Sequence, residues 1–148
     1  MNSFGVAKLR IKKLLLIIII MKNKIKSVHE FHTAFGAGIK NTPTASIGKE
    51  RNLLRFNLMK EENEEYLEAA ENNDLVEVAD ALGDMLYILC GTIIEHGMQD
   101  KIEAVFNEIH RSNMSKLGED GKPIYREDGK VLKGPDYFKP NITEILKK

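Results

Sequence analysis

At 148 residues, 43% hydrophobic and 30% charged, the chain is long enough for one packed domain and too apolar to be disordered. Lysine plus arginine equals aspartate plus glutamate at 22 each, so overall charge gives no grounds for a nucleic-acid or membrane partner. The single cysteine, Cys90, excludes an internal disulfide and suits a reducing cytoplasm.

Residues 1–20 carry Lys8, Arg10, Lys12 and Lys13 and no acid, which leaves the rest of the chain net acidic. The run "LLLIIII" at 14–20 is short for a signal core, has basic residues on both sides and no small-residue cleavage pattern after it. It is also far below the roughly 20 apolar residues that span a bilayer. Met21 opens "MKNKIKSVHEFHTAFG", which reads as a natural beginning. Residues 1–20 are therefore expected to be an upstream extension outside the fold, with 21–148 a single domain.

"SVHEFHTAFG" at 27–36 predicts a first helix: Ser27 caps it, Val28, Phe31 and Phe35 share a face, and Gly36 and Gly38 end it. His29 and His32 are expected on its surface. "NTPTASIG" at 41–48 has the composition of a connection. A second helix is predicted from about Glu50 to Ala70, closed by "ENND", and Asp74 caps a third that runs to Gly97. The fourth covers about Asp100 to Leu117, with Ile102, Val105, Phe106 and Ile109 as its core face. Beyond Leu117 the chain turns rich in Gly, Pro and charge, and "REDGK" can turn a small hairpin between "PIY" and "VLK". Residues 118–148 thus read as an arm. Four helices with short connections predict an all-α antiparallel four-helix bundle, completed by dimerisation. The third helix is too acidic to cross a membrane, because Glu77, Asp80 and Asp84 would each cost about 2.5–3.5 kcal/mol at a bilayer centre.

The phase of the acids separates two populations. At about 100° per residue, Glu62 and Glu65 fall in the arc of Leu54, Leu58, Met59, Tyr66 and Ala69, whereas Glu64 and Glu68 fall opposite and Glu61 lies at the boundary. On the third helix, apolar nearly all round and so expected to be central, Glu77, Asp80 and Asp84 form one stripe that Gly91 continues. Two carboxylates about 6 Å apart repel by roughly 3 kcal/mol at an effective dielectric of 20. Such a set needs cations, and oxygen-only ligands select hard ions, Mg²⁺ or Mn²⁺. The fourth helix ends its apolar stripe in "HRSNMSK", where Arg111, Asn113 and Lys116 could meet phosphate oxygens, with Lys122, Arg126, Lys130 and Lys133 of the arm closing over them. Acids that hold metal beside bases that hold phosphate make a phosphoryl-transfer site.

"EENEE" with "EVADALGDMLY" on the next helix resembles the all-α nucleoside triphosphate pyrophosphohydrolases, a group that includes the MazG-like enzymes and phosphoribosyl-ATP pyrophosphohydrolase. "HEFHTAFG", "HRSNMSK" and "DGKVLKGP" extend the likeness over about residues 24–140. The resemblance implies that Glu62 and Glu65 are the first metal-ligand pair and that Glu61 acts around the metals or the attacking water. Glu77 and Asp80 satisfy the second E-x-x-D pair literally, but "DMLY" resembles the family segment beginning at its aspartate, which gives Asp84. In that register Ala81 stands where the family has glutamate, and Asp80 could supply the oxygen. The resemblance further implies Mg²⁺-dependent hydrolysis of a nucleoside triphosphate to monophosphate and pyrophosphate; a homodimer or homotetramer is expected from the size of the lone bundle, and a cytoplasmic setting from the single cysteine. Phosphoribosyl-ATP as the substrate and a non-catalytic, cation-binding helical module are the two alternatives.

Overall fold

The computed structural model describes residues 21–147; the extension expected at residues 1–20 lies outside them. The described residues are all-α, as the sequence predicts. α1 spans 21–35, α2 Lys49–Glu71, α3 Leu75–Glu95, α4 Ile102–Met114 and a short α5 Ile142–Lys147. Extended pairing among them is limited to an isolated antiparallel bridge between Tyr125 and Val131, at the predicted "REDGK" turn. Two compact units result, the first ending at Asp100 and the second beginning at Lys101. No helix among the described residues is long and apolar enough to cross a membrane.

In the first unit α1 runs through Ser27, whose hydroxyl donates to Asn23 O at 3.1 Å rather than capping the helix. Ile25 explains the longer helix: it extends the face of Val28 and His32, and all three are buried. Phe31 meets Tyr87 of α3 edge-on at 5.7 Å. The connection from α1 to α2 is stitched to the end of α3, with Lys40 N donating to Ile94 O, and Thr44 N to His96 O. Between α2 and α3 the predicted turn is tight. Asn73 adopts φ 55°, which asparagine tolerates better than most residues, and the Asp74 carboxylate accepts from Val76 N and Glu77 N.

α3 is not buried all round, contrary to expectation. Ala81, Cys90, Gly91, Ile93, Ile94 and Glu95 are buried, while Leu75, Val76, Leu82, Leu86 and Leu89 are 41–79% exposed. α3 is covered on the sides that meet α1 and α2 and open elsewhere, and hydropathy alone does not say how many sides have neighbours.

The second unit also departs from the predicted stripe: Phe106 and Ile109 are exposed, and the buried residue of α4 is Ser112. The arm docks through main-chain polar groups, and α4 satisfies them. Ser112 Oγ donates to Phe138 O at 2.7 Å, Phe138 N donates to Ser115 Oγ, and Asn141 N donates to Glu108 Oε1 at 2.7 Å. Gly134 N donates to Lys116 O, an approach so close that a Cβ at position 134 would stand 2.0 Å from Leu117 O.

Candidate functional site

The antiparallel α2–α3 hairpin brings acids from both helices to one end of their seam. Glu62 is half-buried and its Oε2 is fully buried without a hydrogen-bond partner. Burial pushes its carboxyl above the ordinary glutamate value, and the negative charges of Glu65, Asp84, Glu61 and Asp80 push it further, in that order. Asp80 and Asp84 therefore face Glu62 across the seam. Glu77 lies farther along, in a cleft of about 350 Å³ with Glu65, Glu68, Ala69, Asn72 and Asp74.

The seam is wetter than the sequence suggests. Glu61, Glu65, Glu77, Asp80 and Asp84 are all exposed, and no three acid, His or Cys side chains among the described residues converge closely enough to grip an ion as they stand. Like charges that repel by a few kcal/mol take outward rotamers where water is available. The buried, unpartnered Glu62 oxygen is the exception, and it identifies where a cation would relieve the greatest cost. An all-oxygen donor set fits Mg²⁺ or Mn²⁺.

The other end of the same seam carries groups that hydropathy and acid spacing do not single out. Arg55 is buried, donates from Nε to Thr92 Oγ1 at 2.9 Å and from Nη2 to Ile88 O, and lies 3.5 Å from Glu95. Glu95 is 2% exposed and also accepts both Nε and Nη2 of Arg51. His32 is buried here too, against the expectation of a surface role, and its Nδ1 donates to Gly38 O at 2.8 Å. Spacing could have found them. Arg55 precedes Glu62 by two helical turns on the same face of α2, and Glu95 is the next step of the α3 stripe after Gly91.

In the second unit, Asn113 and Lys116 are joined, Lys116 Nζ donating to Asn113 Oδ1 at 2.7 Å. The Gly134–Lys116 main-chain bond brings the neighbouring Lys133 to the same end of α4, with its Nζ 4.6 Å from the Tyr137 ring centre. Arg111 is engaged locally: it forms a two-pronged pair with Glu108 and its guanidinium lies 4.1 Å from the Phe138 ring centre. Lys122 and Arg126 have their own acids, Asp120 and Asp128, whereas the Lys130 side chain is exposed at the turn.

No curated protein matches the chain. Among solved structures it is similar to an inferred NTP pyrophosphohydrolase from Exiguobacterium sp. 255-15, at 25% identity over 84% of this chain and 94% of that one, with a TM-score of 0.47. The family profile described as phosphoribosyl-ATP pyrophosphohydrolase matches residues 28–113, which include both acidic helices and the start of the basic set. The chain belongs to the phosphoribosyl-ATP pyrophosphohydrolase family.

Proposed function

We propose that the protein is a Mg²⁺- or Mn²⁺-dependent nucleoside triphosphate pyrophosphohydrolase that converts a (deoxy)nucleoside triphosphate and water to the monophosphate and pyrophosphate, in nucleotide clean-up. The observation that carries this reading is the buried, unpartnered Glu62 oxygen, faced by acids of both helices within the matched region. Glu62, Glu65, Asp80 and Asp84 would hold the ions, with Glu77 at the edge of the set. When bound, such ions neutralise phosphate charge and lower the pKa of a water. Glu61, beside Glu62, would orient such a water for attack and accept its proton. Within the second unit, Asn113, Lys116, Lys130 and Lys133 are the groups that would bind phosphate oxygens, while Arg111 pairs with Glu108 and lies over Phe138. The exposed apolar stripe of α3, Leu82, Leu86 and Leu89, supports a working homodimer or homotetramer, and the lone cysteine suits a cytoplasmic setting.

The family description favours a second reading, phosphoribosyl-ATP as substrate at the same site. A panel of canonical and modified nucleoside triphosphates plus phosphoribosyl-ATP, assayed with Mg²⁺ for pyrophosphate and orthophosphate separately, tests both. Pyrophosphate release from deoxynucleotides, abolished by EDTA and restored by Mg²⁺ or Mn²⁺, is the expected result. Activity confined to phosphoribosyl-ATP would replace the first reading with the second, and orthophosphate release or survival of activity in EDTA would overturn both.

A further inference from the structure

The facing acids come from different helices and repel one another, so their spacing depends on whatever fixes α2 against α3. Apolar packing at their own level is thin: Leu58 and Met59 are half-buried, and Leu82 and Leu86 are exposed. The firm contact lies about 10 Å along α2, the length of seven residues, where Arg55 crosses to α3. Its guanidinium reaches both Ile88 O and Thr92 Oγ1, and Thr92 Oγ1 itself donates to Ile88 O at 2.9 Å. Ile88 is one turn beyond Asp84. Glycine at position 91 leaves the crossing its room: a Cβ there would stand 2.8 Å from both Arg55 Nη2 and His32 Nε2, and both side chains would have to shift. A planar guanidinium engaging two acceptors on one helix tolerates little sliding, and a slip of one residue, about 1.5 Å, breaks the pair of bonds.

We propose that Arg55 is a positioning residue for the acidic site: it ties α2 to α3 one turn from Asp84 and so sets the register at which Glu62 faces Asp80 and Asp84. This rests on the reading of those carboxylates as the groups that hold the ions. The same bonds could instead serve stability alone, and the two roles separate in experiment.

The test is Mn²⁺ uptake without nucleotide, monitored by the paramagnetic resonance of free Mn²⁺, alongside melting temperatures. Wild type is compared with Arg55→Met, Arg55→Lys and the double variant Arg55→Met/Glu95→Gln, which neutralises both charges of the pair and keeps a folded protein available if the single variant is too weak. Arg55→Met is expected to bind Mn²⁺ about tenfold or more weakly, and the double variant to stay weak even as its melting temperature recovers. Arg55→Lys should fall between, because one ammonium does not reproduce the planar two-acceptor contact. Wild-type affinity in folded Arg55→Met, or affinity that returns with stability in the double variant, would overturn the proposal and leave the enzymatic reading intact. Failure of wild type to take up Mn²⁺ would overturn both.

Discussion

The two ends of the α2–α3 seam are built from similar materials and reach opposite states. At the Arg55 end, one buried carboxylate is matched by two guanidiniums, and its oxygens and the Arg55 fork find partners. At the Glu62 end the charges are all negative and one buried oxygen has no partner. Buried charge is thus satisfied in one place and not in another two turns away, and the second is where the proposed cation would sit. The difference teaches where stability stops and chemistry begins.

The largest expected effect comes from removing charge at the unsatisfied end. Glu62→Gln should lower pyrophosphate release by about a hundredfold or more, the consequence of losing several kcal/mol of transition-state stabilisation. The same change should raise the melting temperature of metal-free protein. Burial and the surrounding acids raise the Glu62 pKa, so its charge weakens the fold once pH exceeds the ordinary glutamate value. A stabilised but inactive variant sharpens the contrast between the ends; a destabilised one breaks it.

Glu95→Ala, at the satisfied end, should do the reverse. It strands the buried Arg55 guanidinium and should cost about 2–3 kcal/mol in urea unfolding, less than a fully buried pair because Arg51 is 41% exposed. The second unit supplies smaller effects. Gly134→Ala forces a Cβ against Leu117 O and should loosen the arm by about 1–3 kcal/mol, read as faster hydrogen exchange at Phe138 and Asn141.

A pH titration gives a subtler version of the same contrast. The Arg111 guanidinium and the Asn141 N–H hold the Glu108 carboxyl below the usual glutamate range. A depressed folded pKa contributes stability that is present above the unfolded value, about 4.3, and lost as pH falls through the folded one. The protection factor at Asn141, its exchange rate divided into the intrinsic rate at the same pH, should therefore fall as pH drops below the ordinary glutamate value. Smallest of all is the response of Cys90, whose buried thiol is pushed up in pKa and should resist alkylation in native protein at pH 8 while reacting after unfolding.

The inward phase of Glu62 was legible because helical spacing is geometric, separating it from Glu64 by simple rotation, whereas Glu65, expected inward beside it, is exposed because water is within reach of its side chain. The Asp74 cap and the "REDGK" turn were legible for the same local reason. Arg55 and Glu95 stand at the same spacing but were passed over, because a reading that counts apolar residues as interior overlooks a buried pair of opposite charges. The wetness of α3 was hidden as well. Leu82 and Leu86 look like core in sequence, and only tertiary packing decides which sides of a helix are covered. Ser112 and Ser115 carry no hydrophobic signal, so their docking of the arm depends on main-chain groups more than twenty residues away.

The decisive measurement is anomalous diffraction from crystals of the intact chain soaked in Mn²⁺. The expected result is a metal peak about 2.0–2.2 Å from Glu62 Oε2, with further oxygens from Glu65, Asp80 or Asp84. A peak only in the Glu68–Asp74–Glu77 cleft, or none while Glu62 stays unpartnered, would contradict it.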